Sequence, residues 1–122
     1  MNIRGFLKSI RNANRGLKYV FMHESNFRLQ IFAALIVLLL IFYFDVSTIE
    51  SLILLLCIAL VVTLELVNSA IELLIDLFKP RFSQKIKVVK DILASAVYIF
   101  AFFSMIIGII VFYPYFIEYL QG

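Results

Sequence analysis

Of 122 residues, 64% are hydrophobic, 16% are charged, and the formal net charge is +3. Soluble domains run closer to ~45–50% apolar, and a soluble fold of this length could not hide so much apolar surface. That excludes a water-soluble globule and points to one compact integral membrane domain over residues 1–122. A lone cysteine, Cys57, and a lone histidine, His23, exclude an intrachain disulfide and a Cys/His zinc site.

Residues 2–22 read as an amphipathic helix. Ile3, Phe6, Leu7, Ile10, Leu17 and Phe21 share one face, and Arg4, Lys8, Arg11, Arg15 and Lys18 form a second stripe. Paired apolar and basic stripes suit a helix lying in the membrane interface, its cations towards anionic headgroups. Nucleic acid is the competing partner for the basic stripe, but it leaves the apolar stripe without a home, so no nucleic-acid partner is expected. No apolar stretch with a small-residue cleavage site follows the first basic residues, so no cleavable signal peptide is expected.

A polar break, His23 to Arg28, follows, with Ser25 or Asn26 placed to cap the next helix. Span one is expected at about 28–46 and an acidic turn at 45–50. Span two runs from about 48 to 78. Its second half carries Glu65, Asn68, Glu72 and Asp76, spaced 3, 4 and 4 apart. At about 100° per residue these four fall on one face of a helix. Polar groups of this kind are costly in lipid and by default mark a functional site. A helix over 48–78 exceeds the ~30 Å hydrocarbon core, so its Glu72–Phe78 end is expected to project and Glu65 to sit near the headgroup boundary. A basic loop spans Lys79–Lys90, with Pro80 favouring a helix stop at Lys79. Span three is expected at about 88–113, kinked or ended by Pro114, with Tyr113, Tyr115, Phe116 and Tyr119 as an aromatic belt.

All eleven cations lie in two blocks, six in Arg4–Arg28 and five in Lys79–Lys90. The positive-inside rule then places the N-terminus and the 79–90 loop in the cytoplasm, and the 45–50 turn and C-terminus outside. Three spans satisfy that alternation. The fold class is therefore all-α, an integral membrane protein of three transmembrane helices plus an N-terminal interfacial helix.

The cytoplasmic boundary gathers Glu24, Glu65, Asn68, Glu72, Asp76, Lys90 and Asp91. Carboxylates with an amide suit magnesium, which takes few protein oxygens and leaves positions for phosphates and water. Lysine and arginine suit an anionic, phosphorylated ligand. Acids and bases at the water–lipid boundary fit phosphoryl transfer from a soluble donor to a lipid hydroxyl. Glu65 and Glu72 stand about 10.5 Å apart along a helix, which leaves room for one to bind metal and the other to take a proton. Glu65, the deeper, is the better base. No GxxxxGK[ST] phosphate loop, GxGxxG, HRD-type loop or nucleophile elbow occurs, which excludes a soluble-type nucleotide kinase. Two blander readings compete. The stripe could serve as interhelical glue paired to Lys79 or Lys90, or it could line a cation path in a non-enzymatic membrane assembly protein. A path needs polar residues to continue across the membrane, and Leu52–Leu64 offers only Cys57 and Thr63.

The pattern Glu65-x-x-Asn68-Ser-Ala-Ile-Glu72-x-x-x-Asp76, with Lys90-Asp91-x-x-Ala94-Ser95-Ala96-Val97 downstream, resembles the signature of the prokaryotic diacylglycerol kinase family. Glu24-x-x-Phe27-Arg28 and Gly16-Leu17 also match, so the similarity covers nearly the whole chain. The resemblance implies a homotrimeric bacterial inner-membrane kinase that uses ATP and magnesium to phosphorylate a lipid alcohol, at sites built between subunits. By matching position it implies Glu65 as general base and Glu24 and Glu72 as metal ligands. Asn68, Asp76, Lys90, Asp91 and Ser95 would form the ATP site. Gln30 departs from the diacylglycerol kinase type, which has an acid there, and Phe82-Ser replaces a Tyr-His in the loop. The short N-terminus, Asn26-Phe27-Arg28 and Asp76-Leu77 resemble the Gram-positive undecaprenol kinase branch more closely. Undecaprenol is the acceptor this implies, with diacylglycerol as the alternative.

Overall fold

The computed structural model describes residues 2–78 and 84–122, and these form four helices with no strand. They are α1 (Ile3–His23), α2 (Ser25–Tyr43), α3 (Thr48–Asp76) and α4 (Gln84–Gln121). The basic loop's Pro80 stop and its Phe82-Ser departure lie outside the described residues.

Helix α1 starts on Asn2, whose side chain accepts from the Gly5 backbone N–H at 2.7 Å. No residue of α1 is buried, and its contacts with α2 and α3 leave its apolar stripe exposed. Its end is sharper than the sequence implied. The expected six-residue polar break contracts to Glu24 alone, in an extended conformation (φ −117°, ψ 112°). The Glu24 backbone N–H donates to the Val20 carbonyl at 2.8 Å. Arg28 reaches back to donate to the Phe21 carbonyl at 2.7 Å, and the His23 ring stacks on Tyr19. Neither Ser25 nor Asn26 caps α2. Glu24 holds that position and makes no side-chain cap bond, which leaves its carboxylate available to the site described below.

Helices α2, α3 and α4 are each long and apolar enough to cross a membrane. Residues α3 and α4 contribute, 29 and 38, rise about 43 and 57 Å, beyond a ~30 Å hydrocarbon core. The central helix is α3, packed against α2 on one side and α4 on the other. Helix α2 stops at Tyr43, before the expected limit at residue 46, through an αL cap. Asp45 takes φ 49°, a conformation Asp tolerates better than most residues. The Asp45 and Val46 N–H groups then donate to the Phe42 and Ile41 carbonyls, the double bond of a Schellman motif. Val46 is buried with Leu54 and Val111 in a small core that Ile41, Phe44 and Phe112 cover.

Helix α4 does not end at Pro114; it runs through to Gln121. A proline inside a helix forfeits one backbone bond, and contacts beyond it hold the extension in place. Tyr115 donates to Glu50 at 2.6 Å and accepts from the Ser47 N–H at 3.1 Å. Tyr119 packs edge-on against Tyr43 and Phe44.

Candidate functional site

The acidic face of α3 is graded in depth. Glu65 is only 3% exposed and Asn68 8%. Glu72 is half-buried and Asp76 is exposed. The gradient follows from helical spacing, which keeps all four on one face while each turn climbs about 5.4 Å towards the end of the helix.

Around the buried end, two amides each donate to one carboxylate. Gln30 of α2 donates through Nε2 to Glu65 Oε2 at 3.2 Å. Asn68 donates through Nδ2 to Glu72 Oε1 at 3.4 Å. The Gln30 Oε1, Asn68 Oδ1 and Ser69 Oγ atoms are buried without a partner. Glu24 and Glu72 both lie within electrostatic reach of Glu65. The α1–α2 junction at Glu24 thus lies near the α3 stripe, 41 or more residues away in sequence.

At the exposed end, Lys90 of α4 pairs with Asp76 at 3.4 Å, the side chains 26% and 44% exposed. Asp91 and Ser95 are exposed, and the Ser95 hydroxyl donates to the Asp91 backbone carbonyl at 2.8 Å. Among the described residues no hydrogen bond links either side chain to the acidic stripe. The expected site residues therefore divide into a carboxylate–amide group around the buried Glu65 (Glu24, Glu65, Asn68, Glu72), an ion pair (Asp76, Lys90), and two outliers. Gln30 gave only the weak signal of a polar residue at the start of a span. Its contact with Glu65 needs α2 and α3 side by side, which no local pattern encodes.

A groove of about 690 Å³ runs between α2, α3 and α4 from this polar group. Asn26, Gln30, Glu65, Asn68 and Glu72 line one end. The remainder is apolar apart from Tyr98 and Ser104, ending near Leu40, Leu54 and Phe112. From Glu72 to Leu54 is about 27 Å of helix rise, nearly the hydrocarbon thickness. Leu29, Tyr98, Met105 and Ile109, all exposed, form its margin, so the groove is open along one flank. A hydroxyl on a long hydrocarbon chain fits such a channel, with its polar end at Glu65.

Among the described residues, no three His, Cys, Asp or Glu side chains converge as a ready metal cage. The donors present still fit magnesium. Glu72 and Glu24 are hard carboxylates, Asn68 Oδ1 is an unclaimed oxygen, and magnesium commonly takes one or two carboxylates with water and phosphate completing its shell.

Known proteins are similar to this chain. The family profile described as Prokaryotic diacylglycerol kinase matches residues 11–112. An undecaprenol kinase of Bacillus subtilis is 39% identical over 109 residues, 89% of each chain. A diacylglycerol kinase of Synechocystis is 33% identical over 84% of this chain and 59% of its own length. A diacylglycerol kinase of Haemophilus influenzae is 36% identical over 57% of this chain and 59% of its own.

Proposed function

We propose that this chain, which belongs to the prokaryotic diacylglycerol kinase family, phosphorylates undecaprenol at the cytoplasmic face of the bacterial cell membrane. Membership makes it a multi-pass membrane lipid kinase with ATP as co-substrate. The observation that carries the choice of chemistry is the buried Glu65 carboxylate at the polar end of an apolar groove. Undecaprenol is favoured as acceptor by the likeness to an undecaprenol kinase over 89% of both chains. Diacylglycerol is the second reading, because two further relatives carry that name.

In the reaction, Glu65 accepts the proton of the lipid hydroxyl as its oxygen attacks the γ-phosphorus of ATP. The bond from that phosphorus to the β–γ bridging oxygen breaks, ADP leaves, and a lipid phosphate ester remains. Glu72 and Glu24 would hold magnesium, which when bound would offset charge on the phosphate oxygens. Asn68 orients Glu72 through their 3.4 Å bond. Lys90 binds phosphate, kept in place by Asp76, and Asp91 and Ser95 complete the nucleotide side.

The whole chain, 1–122, acts as a single catalytic domain, and its assembly is a homotrimer. The trimer reading draws on the resemblance and on the open flank of the groove. Just six apolar side chains are buried among the described residues, so most of the apolar surface is left for lipid or a neighbouring subunit to cover. Helix α1 lies in the interface on its exposed apolar stripe. The orientation follows the cation blocks, with the N-terminus and the 79–90 segment inside and the 45–50 segment and C-terminus outside.

The test is direct. Purified protein in mixed micelles receives labelled ATP, magnesium, and either undecaprenol or diacylglycerol. Label in undecaprenyl phosphate, at a higher kcat/KM than in phosphatidic acid, is the expected result. Folded protein that labels neither lipid overturns the reading.

A further inference from the structure

The geometry points to Gln30 as a positioning residue for Glu65, one that fixes which carboxylate oxygen meets the lipid hydroxyl. The inference rests on the base role given to Glu65 above, and it assigns a function to a residue that the acidic signature does not contain.

Gln30 lies on α2, 35 residues from Glu65 and on a different helix. Its side chain crosses to α3 and donates to Oε2 of Glu65 at 3.2 Å. A carboxylate can only accept, so it is the Nε2 end of the amide that must face Glu65. That chemistry fixes the orientation of both groups. Glu65 Oε2 already accepts one bond, and Oε1, with no bond to Gln30, is the freer oxygen to take a proton. Glutamate carries three side-chain torsions and would otherwise turn either oxygen to the groove.

The amide is poorly served by this arrangement. Gln30 Oε1 is buried with no partner, and a buried acceptor left unsatisfied costs free energy. An apolar side chain of the same shape would remove that cost and suit a groove whose other α2 contributions beyond Asn26 are Leu, Ala and Val. A glutamine kept here at the expense of stability indicates a functional use for its one hydrogen bond. Positioning explains both halves of the observation, the bond that is made and the bond that is missing.

Gln30→Met separates positioning from packing. It keeps the length and volume of the side chain and deletes the donor. Wild type and variant are compared in mixed micelles with magnesium–ATP and undecaprenol, alongside thermal unfolding of each. The variant should keep or raise its Tm, keep its KM for ATP, and lose about ten- to a hundredfold in kcat, the scale of a misplaced reacting group. In a Glu65→Gln background the same change should have no further effect on rate, because the oxygen it positions is gone. A full kcat in Gln30→Met overturns the inference, as does a rate loss that tracks a fall in Tm or that persists in the Glu65→Gln background. Wild-type protein that phosphorylates neither undecaprenol nor diacylglycerol instead overturns the lipid kinase reading, and with it the base that Gln30 is said to hold.

Discussion

Glu65→Gln tests the centre of the mechanism. The substitution keeps the size of the side chain, so the 3% exposed site is not opened or overfilled. It also keeps an oxygen for the Gln30 amide, which now donates to the Gln carbonyl in place of Oε2. The carbonyl side of the new amide is thereby tied to α2, and its NH₂ is turned towards the groove. A donor then stands where the lipid hydroxyl must deliver its proton. Loss of a general base costs about 10²–10⁴ in rate, or about 3–5 kcal/mol in the barrier. The nucleotide should bind as before, since Asp76 lies 11 residues along the helix, about 16 Å from Glu65. Single-turnover phosphorylation of undecaprenol gives the chemical step, and equilibrium binding of a fluorescent nucleotide gives ATP affinity. A variant that keeps kcat within threefold of wild type refutes the base assignment. One that loses nucleotide binding in proportion to rate moves Glu65 to the phosphate side of the reaction.

Other expectations follow from the rest of the site. Glu72→Gln should raise the magnesium concentration needed for half-maximal rate, and excess magnesium should restore much of the activity; a variant whose loss is independent of magnesium would place Glu72 elsewhere. Lys90→Ala should raise KM for ATP about tenfold while Tm barely moves, because an ion pair this exposed contributes little to stability; a large fall in Tm with unchanged KM would make the pair structural. Tyr115→Phe removes the hydroxyl that bonds Glu50 and Ser47. Amide exchange should quicken beyond Pro114 and Tm should fall while kcat holds, and a loss of kcat equal to that of Glu65→Gln would contradict the separation of the two ends.

Length and hydropathy were enough to read four helices in the right order, because an unbroken apolar run has few alternatives in a chain of this composition. What local pattern missed were features set by contacts between helices. Pro114 reads as a kink or a stop, and α4 continues past it, where Tyr115 and Tyr119 find partners at the facing ends of α2 and α3. Ser25 and Asn26 read as caps, yet the backbone turns at Glu24, where Arg28 covers the freed Phe21 carbonyl. Within the site, the order of burial from Glu65 to Asp76 was legible, since helical period and direction dictate it. The partner of Glu65 was not. Gln30 enters only through the register of α2 against α3, and Glu24 only through the angle at the α1–α2 junction.

The two ends of α3 differ in how their polar atoms are satisfied, and that difference locates the chemistry without reference to any motif. At the Ser47 end, Glu50 accepts from Tyr115 and Ser47 and its backbone N–H bonds Ser47 Oγ. That network is closed and asks for no ligand. At the Glu65 end, three of the four buried, unpartnered side-chain atoms among the described residues lie together, on Gln30, Asn68 and Ser69. The fourth, on Ser104, lines the same groove. Folded proteins rarely leave buried polar atoms unpaired, so this end of α3 is the more open of the two to an added hydrogen-bonding group. A closed network on one side and an open one on the other is the arrangement of a one-sided site. A conducting path would need open polar positions along the whole of α3, and the stretch between Leu52 and Leu64 has none that face the groove besides Cys57.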